Sequence, residues 1–421
     1  MHEIKNHNIT DKANGLYIHI PFCVSKCKYC DFFSVPVNKI KKQYKCEKQS
    51  LIPQEYIDSL CSEIDYRLSS ACSDYSLNRI LLDTVYIGGG TPSLLTKNQL
   101  KQIIFHLKHS SFITLHNACE ISIEINPDDV TPQLLQDYEE CGITRISCGI
   151  QSMNDVSLKN VQRRSSNLIN SQAVELLSQW KKELSIDFIC TLPYENEKTF
   201  LDGIDFVISH LNNLNHISMY SLTIEEETPL GKEYNDGVFS YDFEKADDIW
   251  IKARSFLEKN GFLQYEVSNF CKHNKKCLHN LKYWNHEGYF GIGAGATGTL
   301  YNYDGSGFRW NNVDDISKYI SFWENFDEQN QNAKPFQITE IITTEISEFE
   351  YFMMGMRKIS GISKNHFEQT FHHELQQKFL LLCEEWQKKG LCIIKNFKDD
   401  TIFTLGKNGI LFLNKFLENL V

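Results

Sequence analysis

At 421 residues the chain is too long for one ordinary hydrophobic core and implies two domains, or one large barrel with an appendage. Its 42% hydrophobic and 23% charged residues are those of a folded globular protein, and no run approaches the roughly 18 uninterrupted apolar residues of a membrane helix, so an integral membrane segment is not expected. A net charge of -11 argues against a nucleic-acid groove, and 14 scattered cysteines do not form a disulfide framework. The polar stretch from Met1 to Gly15 lacks the apolar centre of a secretory signal, so a reducing, cytoplasmic setting is expected.

In chain order, the first predicted strand covers residues 16–20, and Pro21 ends it. Cys23, Cys27 and Cys30 follow with Cys-x3-Cys-x2-Cys spacing. A [4Fe–4S] cluster has four irons, so three thiolates leave one iron open. A zinc site completed by His19 and three unrelated thiols are the alternatives. Lys39, Lys41, Lys42, Lys45 and Lys48 form the one dense basic run and read as a solvated loop. Ile57, Leu60, Cys61, Ile64 and Leu68 then mark the apolar face of a helix.

A second strand over 83–87 runs into Gly88-Gly89-Gly90-Thr91-Pro92, where backbone can approach a ligand closely or simply turn tightly into a helix. In the third strand, 120–125, alternation separates Ile121, Ile123 and Ile125 from Ser122, Glu124 and Asn126. A carboxylate turned into a barrel is costly without a partner, so Glu124 calls for a ligand. Thr131, Pro132 and Gly142 frame a helix whose face carries Leu134, Leu135 and Tyr138. The fourth strand, 144–150, aligns Arg145, Ser147, Gly149 and Gln151, and an ion-pair network of Glu124, Arg145 and Arg163 is the purely structural alternative. Strands over 185–190 and 216–222 complete six βα units. The expected class is therefore α/β: a partial (β/α)6 TIM-like barrel with its working face at the C-terminal strand ends.

The alternation stops near residue 235, which sets expected domains of 1–235 and 236–421. Helical patterns at 348–359 and 375–389 and strands at 391–395 and 401–405 predict a C-terminal α+β domain of winged-helix shape. Residues 265–300 are aromatic-rich and by composition read as core, with His279 a satisfied buried histidine. Cys271, His273, Cys277 and His279 also present a conceivable zinc set.

The segment Tyr17-Ile-His-Ile-Pro-Phe-Cys23, with the triad through Asp31-Phe32, resembles the radical S-adenosylmethionine superfamily. More narrowly it resembles the branch holding oxygen-independent coproporphyrinogen III oxidase and the haem chaperones called HemW. The resemblance implies that Cys23, Cys27 and Cys30 hold a [4Fe–4S] cluster, whose open iron is chelated by S-adenosylmethionine and whose electron cleaves it to a 5′-deoxyadenosyl radical. It further implies cofactor contacts from Tyr17, Phe32, Gly88, Gly89, Gly90, Thr91, Glu124, Gln151, Arg163 and Asp187. One departure is Thr191, which stands where the family carries the glycine of a Gly-Leu-Pro turn and loosens the role assigned to Asp187.

Downstream, His279-Asn-Leu-Lys-Tyr-Trp284 is similar to the HemW branch's His-Asn-x-x-Tyr-Trp motif, and the resemblance spans about residues 15–360. It implies His279 as leading haem ligand, with Cys277, Tyr283 and Trp284 as further haem candidates. Phe32 occupies the place of an extra oxidase cysteine, and the segment ahead of the triad, 22 residues, is shorter than the oxidase's. Both features favour a carrier that passes haem to apo-acceptors such as respiratory cytochromes, with an electron donor for the cluster. Oxidative decarboxylation of coproporphyrinogen III is the alternative.

Overall fold

The computed structural model describes residues 14–40, 44, 50–326 and 336–420. Of the basic run, Lys41, Lys42, Lys45 and Lys48 lie outside them, as do the first 13 residues of the chain. Six parallel strands, β1 (Asn14–Ile20), β2 (Ile80–Gly89), β3 (Ile113–Ile125), β4 (Arg145–Gln151), β5 (Glu183–Cys190) and β6 (His216–Ser221), lie side by side in chain order. Each matches an expected strand. β1 is buried almost throughout its length, as a parallel strand covered on both faces must be.

The crossover helices have the boundaries their sequences encode. Helix α1 (Gln54–Asp74) buries Ile57, Leu60, Ile64 and Leu68 along one face. Helix α2 (Lys97–His109) begins at a Thr96–Gln99 capping box. In α3 (Pro132–Cys141), Thr131 Oγ1 accepts the Leu134 N–H at 3.1 Å, and Gly142 ends the helix at φ 90°.

The sheet continues past residue 235. Strands β7 (Leu263–Gln264) and β8 (Asn269–Cys271) add antiparallel to the β6 edge. After helix α4 (Leu278–Trp284), β9 (Tyr289–Ile292) pairs parallel with β1 on the side away from β2. The antiparallel strands β10 (Thr297–Tyr301), β11 (Gly307–Asn312) and β12 (Phe336–Ile342) complete the 12-stranded order. Past residue 235 the added pairings are antiparallel except that of β9 with β1, while one core still runs from Leu16 to Trp323.

A second core spans Tyr351 to Phe416. It is built on α5 (Thr344–Gly355), α6 (Lys364–Phe371) and α7 (Gln377–Lys388), with a small antiparallel sheet of residues 362–363, 401–404 and 393–396. Phe352 stacks between Phe379 and Phe367, with centroids 4.4 and 5.4 Å away. The helices and hairpin expected in this region are present. Among the described residues no helix is long and apolar enough to cross a membrane.

Candidate cofactor-binding site

The loop after β1 is pinned at both ends. Phe22–Cys23 pairs with Val35–Pro36, and the His19 ring links the Tyr17 hydroxyl (Nδ1, 2.8 Å) to the Phe33 carbonyl (Nε2, 2.9 Å). His19 is therefore a loop tie. Among the described residues no three His, Cys, Asp or Glu side chains converge on a single metal ion. A cluster makes a different demand, because its thiolates sit on separate irons.

Residues between those pins project Cys23, Cys27 and Cys30 into a cavity of about 480 Å³ at the C-terminal ends of the strands. Thr91 Oγ1 donates to Cys23 Sγ at 3.4 Å, and Arg163 donates to Cys27 Sγ at 3.6 Å. Burial pushes the Cys30 thiol up to about 11 and raises Cys23 as well, so iron must displace their protons on binding.

The same cavity is lined by Phe32, Gly89, Gly90, Thr91, Glu124, Gln151, Arg163 and Asp187. Two backbone features need glycine. A Cβ on Gly90 would stand 2.7 Å from the Phe22 carbonyl oxygen and 2.9 Å from that of Ile20, and Gly89 has φ 111°. Glu124 accepts from the Tyr86 hydroxyl at 2.9 Å and from the Gly89 N–H at 3.0 Å, and burial pushes it up to about 7. Asp187 is raised by burial too, and accepts from Ser147 Oγ at 2.8 Å and Ser185 Oγ at 3.2 Å. Arg163 donates to Asn126 Oδ1 at 2.7 Å and the Gly149 carbonyl at 2.6 Å, yet its Nε is buried without a hydrogen-bond partner among the described residues.

A destabilised buried carboxylate, an incompletely satisfied guanidinium and a side-chain-free backbone rim together suit a ligand bearing an amino group, a carboxylate and hydroxyls. That is the chemistry of S-adenosylmethionine, with the thiol triad beside it for the cluster. The residues present fit both groups.

Some predicted residues lie elsewhere. Gly88 precedes the rim, and Tyr17 sits beneath the floor, its ring stacked on Tyr86 at 6.2 Å. Arg145 shares a strand face with Ser147 and Gln151 but lies at the opposite end of the barrel. There it pairs with Glu120 (2.9 Å) and donates to the Lys276 carbonyl (2.8 Å), so it does not join Glu124 and Arg163 in one network. Tyr86 and Tyr220 line the cavity and were not singled out from sequence. Alternation along β2 puts Tyr86 on the face of Gly88, which was the available signal.

The His-Asn-x-x-Tyr-Trp segment forms α4 and closes the N-terminal end of the barrel. Glu120 Oε1 accepts from the N–H groups of Leu278 (2.9 Å) and His279 (3.3 Å) at the helix start. His279 is 1% exposed, with Nδ1 bound to Thr84 Oγ1 at 2.9 Å and Nε2 to the Tyr283 hydroxyl at 2.8 Å. Burial lowers it to about 3, so the ring is neutral. Cys277 is buried with its thiol pushed up to about 12. Tyr283 packs edge-on against Tyr289 at 4.6 Å, and Trp284 lies under the Arg357 guanidinium at 4.0 Å. None of these haem candidates lines the cofactor cavity. An iron bond from His279 requires the Tyr283 hydroxyl to leave Nε2 and α4 to move off the barrel end.

Comparison with known proteins adds the following. The Radical SAM superfamily matches residues 17–207, and the HemN C-terminal domain matches residues 348–412. The heme chaperone HemW of Buchnera aphidicola is 31% identical over 96% of this chain and 97% of its own length. Those of Haemophilus influenzae and Bacillus subtilis are each 30% identical, over 96% and 89% of this chain and 97% and 91% of their own. In fold, the chain is similar to coproporphyrinogen III oxidase (HemN) from Escherichia coli, with a TM-score of 0.73 at 18% identity, covering 97% of this chain and 89% of that one.

Proposed function

The chain belongs to the HemW family of haem chaperones within the radical S-adenosylmethionine superfamily, and on that premise we propose that it binds haem and delivers it to acceptor proteins, with a cluster-and-cofactor site at the barrel mouth. Cys23, Cys27 and Cys30 would hold the [4Fe–4S] cluster. Glu124, the Gly89–Thr91 rim with Gly88 leading into it, Gln151, Arg163 and Asp187 would hold S-adenosylmethionine, with Tyr17 and Phe32 bracing the loop around it. Once bound, the pair supplies one-electron chemistry at the open iron.

This chain's residues set that site's properties. Arg163 offsets negative charge at Cys27, Glu124 offers a buried acceptor to a cationic group, and the glycine rim lets backbone approach the ligand. The observation that carries the carrier reading over the oxidase is Phe32: where a further cysteine would stand, an apolar ring 65% exposed borders the cavity. The acceptors would be apoproteins such as respiratory cytochromes, met in the cytoplasm, and the cluster would draw on an external electron donor. Residues 1–235 would carry the cluster and S-adenosylmethionine, and residues 236–421 would face haem and acceptor.

The test is anaerobic incubation of cluster-reconstituted protein with each tetrapyrrole. A saturable Soret shift with haem, and no turnover of coproporphyrinogen III in the presence of reductant and S-adenosylmethionine, is the expected pair of results. Formation of protoporphyrinogen would overturn the carrier reading in favour of oxidative decarboxylation.

A further inference from the structure

A line of hydrogen bonds runs through the inside of the barrel from the cofactor cavity to the start of α4. It begins at Asp187 on β5, which accepts at 3.2 Å from Ser185 Oγ, two residues earlier on the same strand face. His216 opens β6 directly across from Ser185, and its Nδ1 lies 2.7 Å from Ser185 Oγ. Its Nε2 lies 2.8 Å from the hydroxyl of Tyr265, the residue after β7. The backbone N–H of Cys277, the cap residue of α4, donates to that hydroxyl at 3.2 Å. Ser185, His216 and Tyr265 are all buried, and none of them lines the cavity.

These groups satisfy one another in one direction only. Burial holds the His216 ring neutral, so one nitrogen carries a proton and the other a lone pair. With the proton on Nε2, the Tyr265 oxygen would accept from both His216 and Cys277, and its own proton would be buried without an acceptor among the described residues. With the proton on Nδ1 every group is matched. Cys277 N–H then donates to Tyr265, Tyr265 donates to Nε2, Nδ1 donates to Ser185, and the Ser185 proton is left for Asp187. Burial works against charge on Asp187, and an ionised carboxylate is a stronger acceptor than a neutral one, so each donor kept on it counts.

We propose that His216 is a positioning residue of the cofactor site: fixed in one tautomer by Tyr265, it turns the Ser185 hydroxyl onto Asp187 and so holds that carboxylate ready to accept from S-adenosylmethionine. The inference rests on the cofactor site proposed above. It extends that site beyond the cavity wall, through residues that touch no ligand, to the cap of the His-Asn-x-x-Tyr-Trp helix. Asp187 keeps a further donor in Ser147 Oγ at 2.8 Å, so loss of the relay weakens the acceptor without removing it.

The experiment is calorimetric titration of S-adenosylmethionine into the full chain, cluster-reconstituted and anaerobic, comparing wild type with His216→Asn, His216→Gln and Tyr265→Phe. An asparagine amide nitrogen falls near the place of Nδ1 and still donates to Ser185, whereas the longer glutamine carries its amide to the place of Nε2 and leaves Ser185 undirected. His216→Gln should therefore weaken binding roughly tenfold, the scale of one hydrogen bond to a charged group, while His216→Asn should stay within about threefold of wild type. Packing alone predicts the reverse order, because glutamine is nearer to histidine in volume. Tyr265→Phe frees the imidazole to take either tautomer and should weaken binding severalfold from outside the cavity; it keeps the proposal testable should His216→Gln fold poorly. Losses in His216→Asn as large as in His216→Gln, or wild-type affinity in Tyr265→Phe, would overturn the relay and leave the cofactor site standing. A wild type that binds no S-adenosylmethionine would overturn the cofactor site and the relay with it.

Discussion

Replacing His279 by alanine in protein that has met neither haem nor iron separates a structural histidine from a pure ligand. The ring is 1% exposed and holds Thr84 and Tyr283 by one nitrogen each. Losing two hydrogen bonds in a buried site costs about 1 kcal/mol apiece, and the emptied ring volume adds roughly 1–2 kcal/mol. A total of about 3–4 kcal/mol should lower the urea midpoint by on the order of 1 M, at a slope of about 3 kcal/mol/M. The pH dependence supplies a second signature. Unfolded His279 takes up a proton near the ordinary 6.5, whereas in the fold burial holds the ring neutral down to about 3. Its stabilising contribution is therefore full above pH 6.5 and is lost as pH falls towards 3, at up to about 1.4 kcal/mol per pH unit. The gap between wild type and His279→Gln should narrow over that range. If haem-free His279→Ala unfolds at the wild-type urea concentration, the structural role assigned to the ring is mistaken.

Glu120→Ala removes the partner of buried Arg145 and the acceptor at the start of α4, and should destabilise by about 3–5 kcal/mol in chemical denaturation; a loss under 1 kcal/mol would contradict the packing of the barrel's closed end. Gly90→Ala drives a methyl into the Phe22 and Ile20 carbonyls, so iron and sulfide per chain after reconstitution should drop well below wild type while the far-ultraviolet circular dichroism holds. Glu124→Gln keeps the size of the side chain and removes its charge. Calorimetric affinity for S-adenosylmethionine should fall roughly tenfold with the cluster's absorption near 400 nm retained, and unchanged affinity would remove Glu124 from the site.

The barrel was legible because its signals are local and periodic. Six β-branched runs and the caps at Thr131 and Gly142 each predict a geometry that the fold contains. Alternation on β3 was enough to place Glu124 in the cavity. Alternation cannot tell one end of a strand from the other in depth, so Arg145 looked like a neighbour of Gln151 although their strand carries them to opposite ends of the barrel. The strands after residue 235 were illegible because they are short, and one of them, β9, pairs parallel with β1 across more than 250 residues of chain. Composition read His279 as a buried, satisfied ring, and its burial and two hydrogen bonds agree with that reading.

Haem carriage is tested most directly by transfer: protein reconstituted with iron and sulfide is loaded with one equivalent of haem under anaerobic conditions, and an excess of an apo-cytochrome is added. The Soret band should pass from the carrier's position to that of the holo-cytochrome, while coproporphyrinogen III incubated in parallel with reductant and S-adenosylmethionine stays unconverted. Haem that never leaves the chain, or coproporphyrinogen III that is decarboxylated, would contradict it.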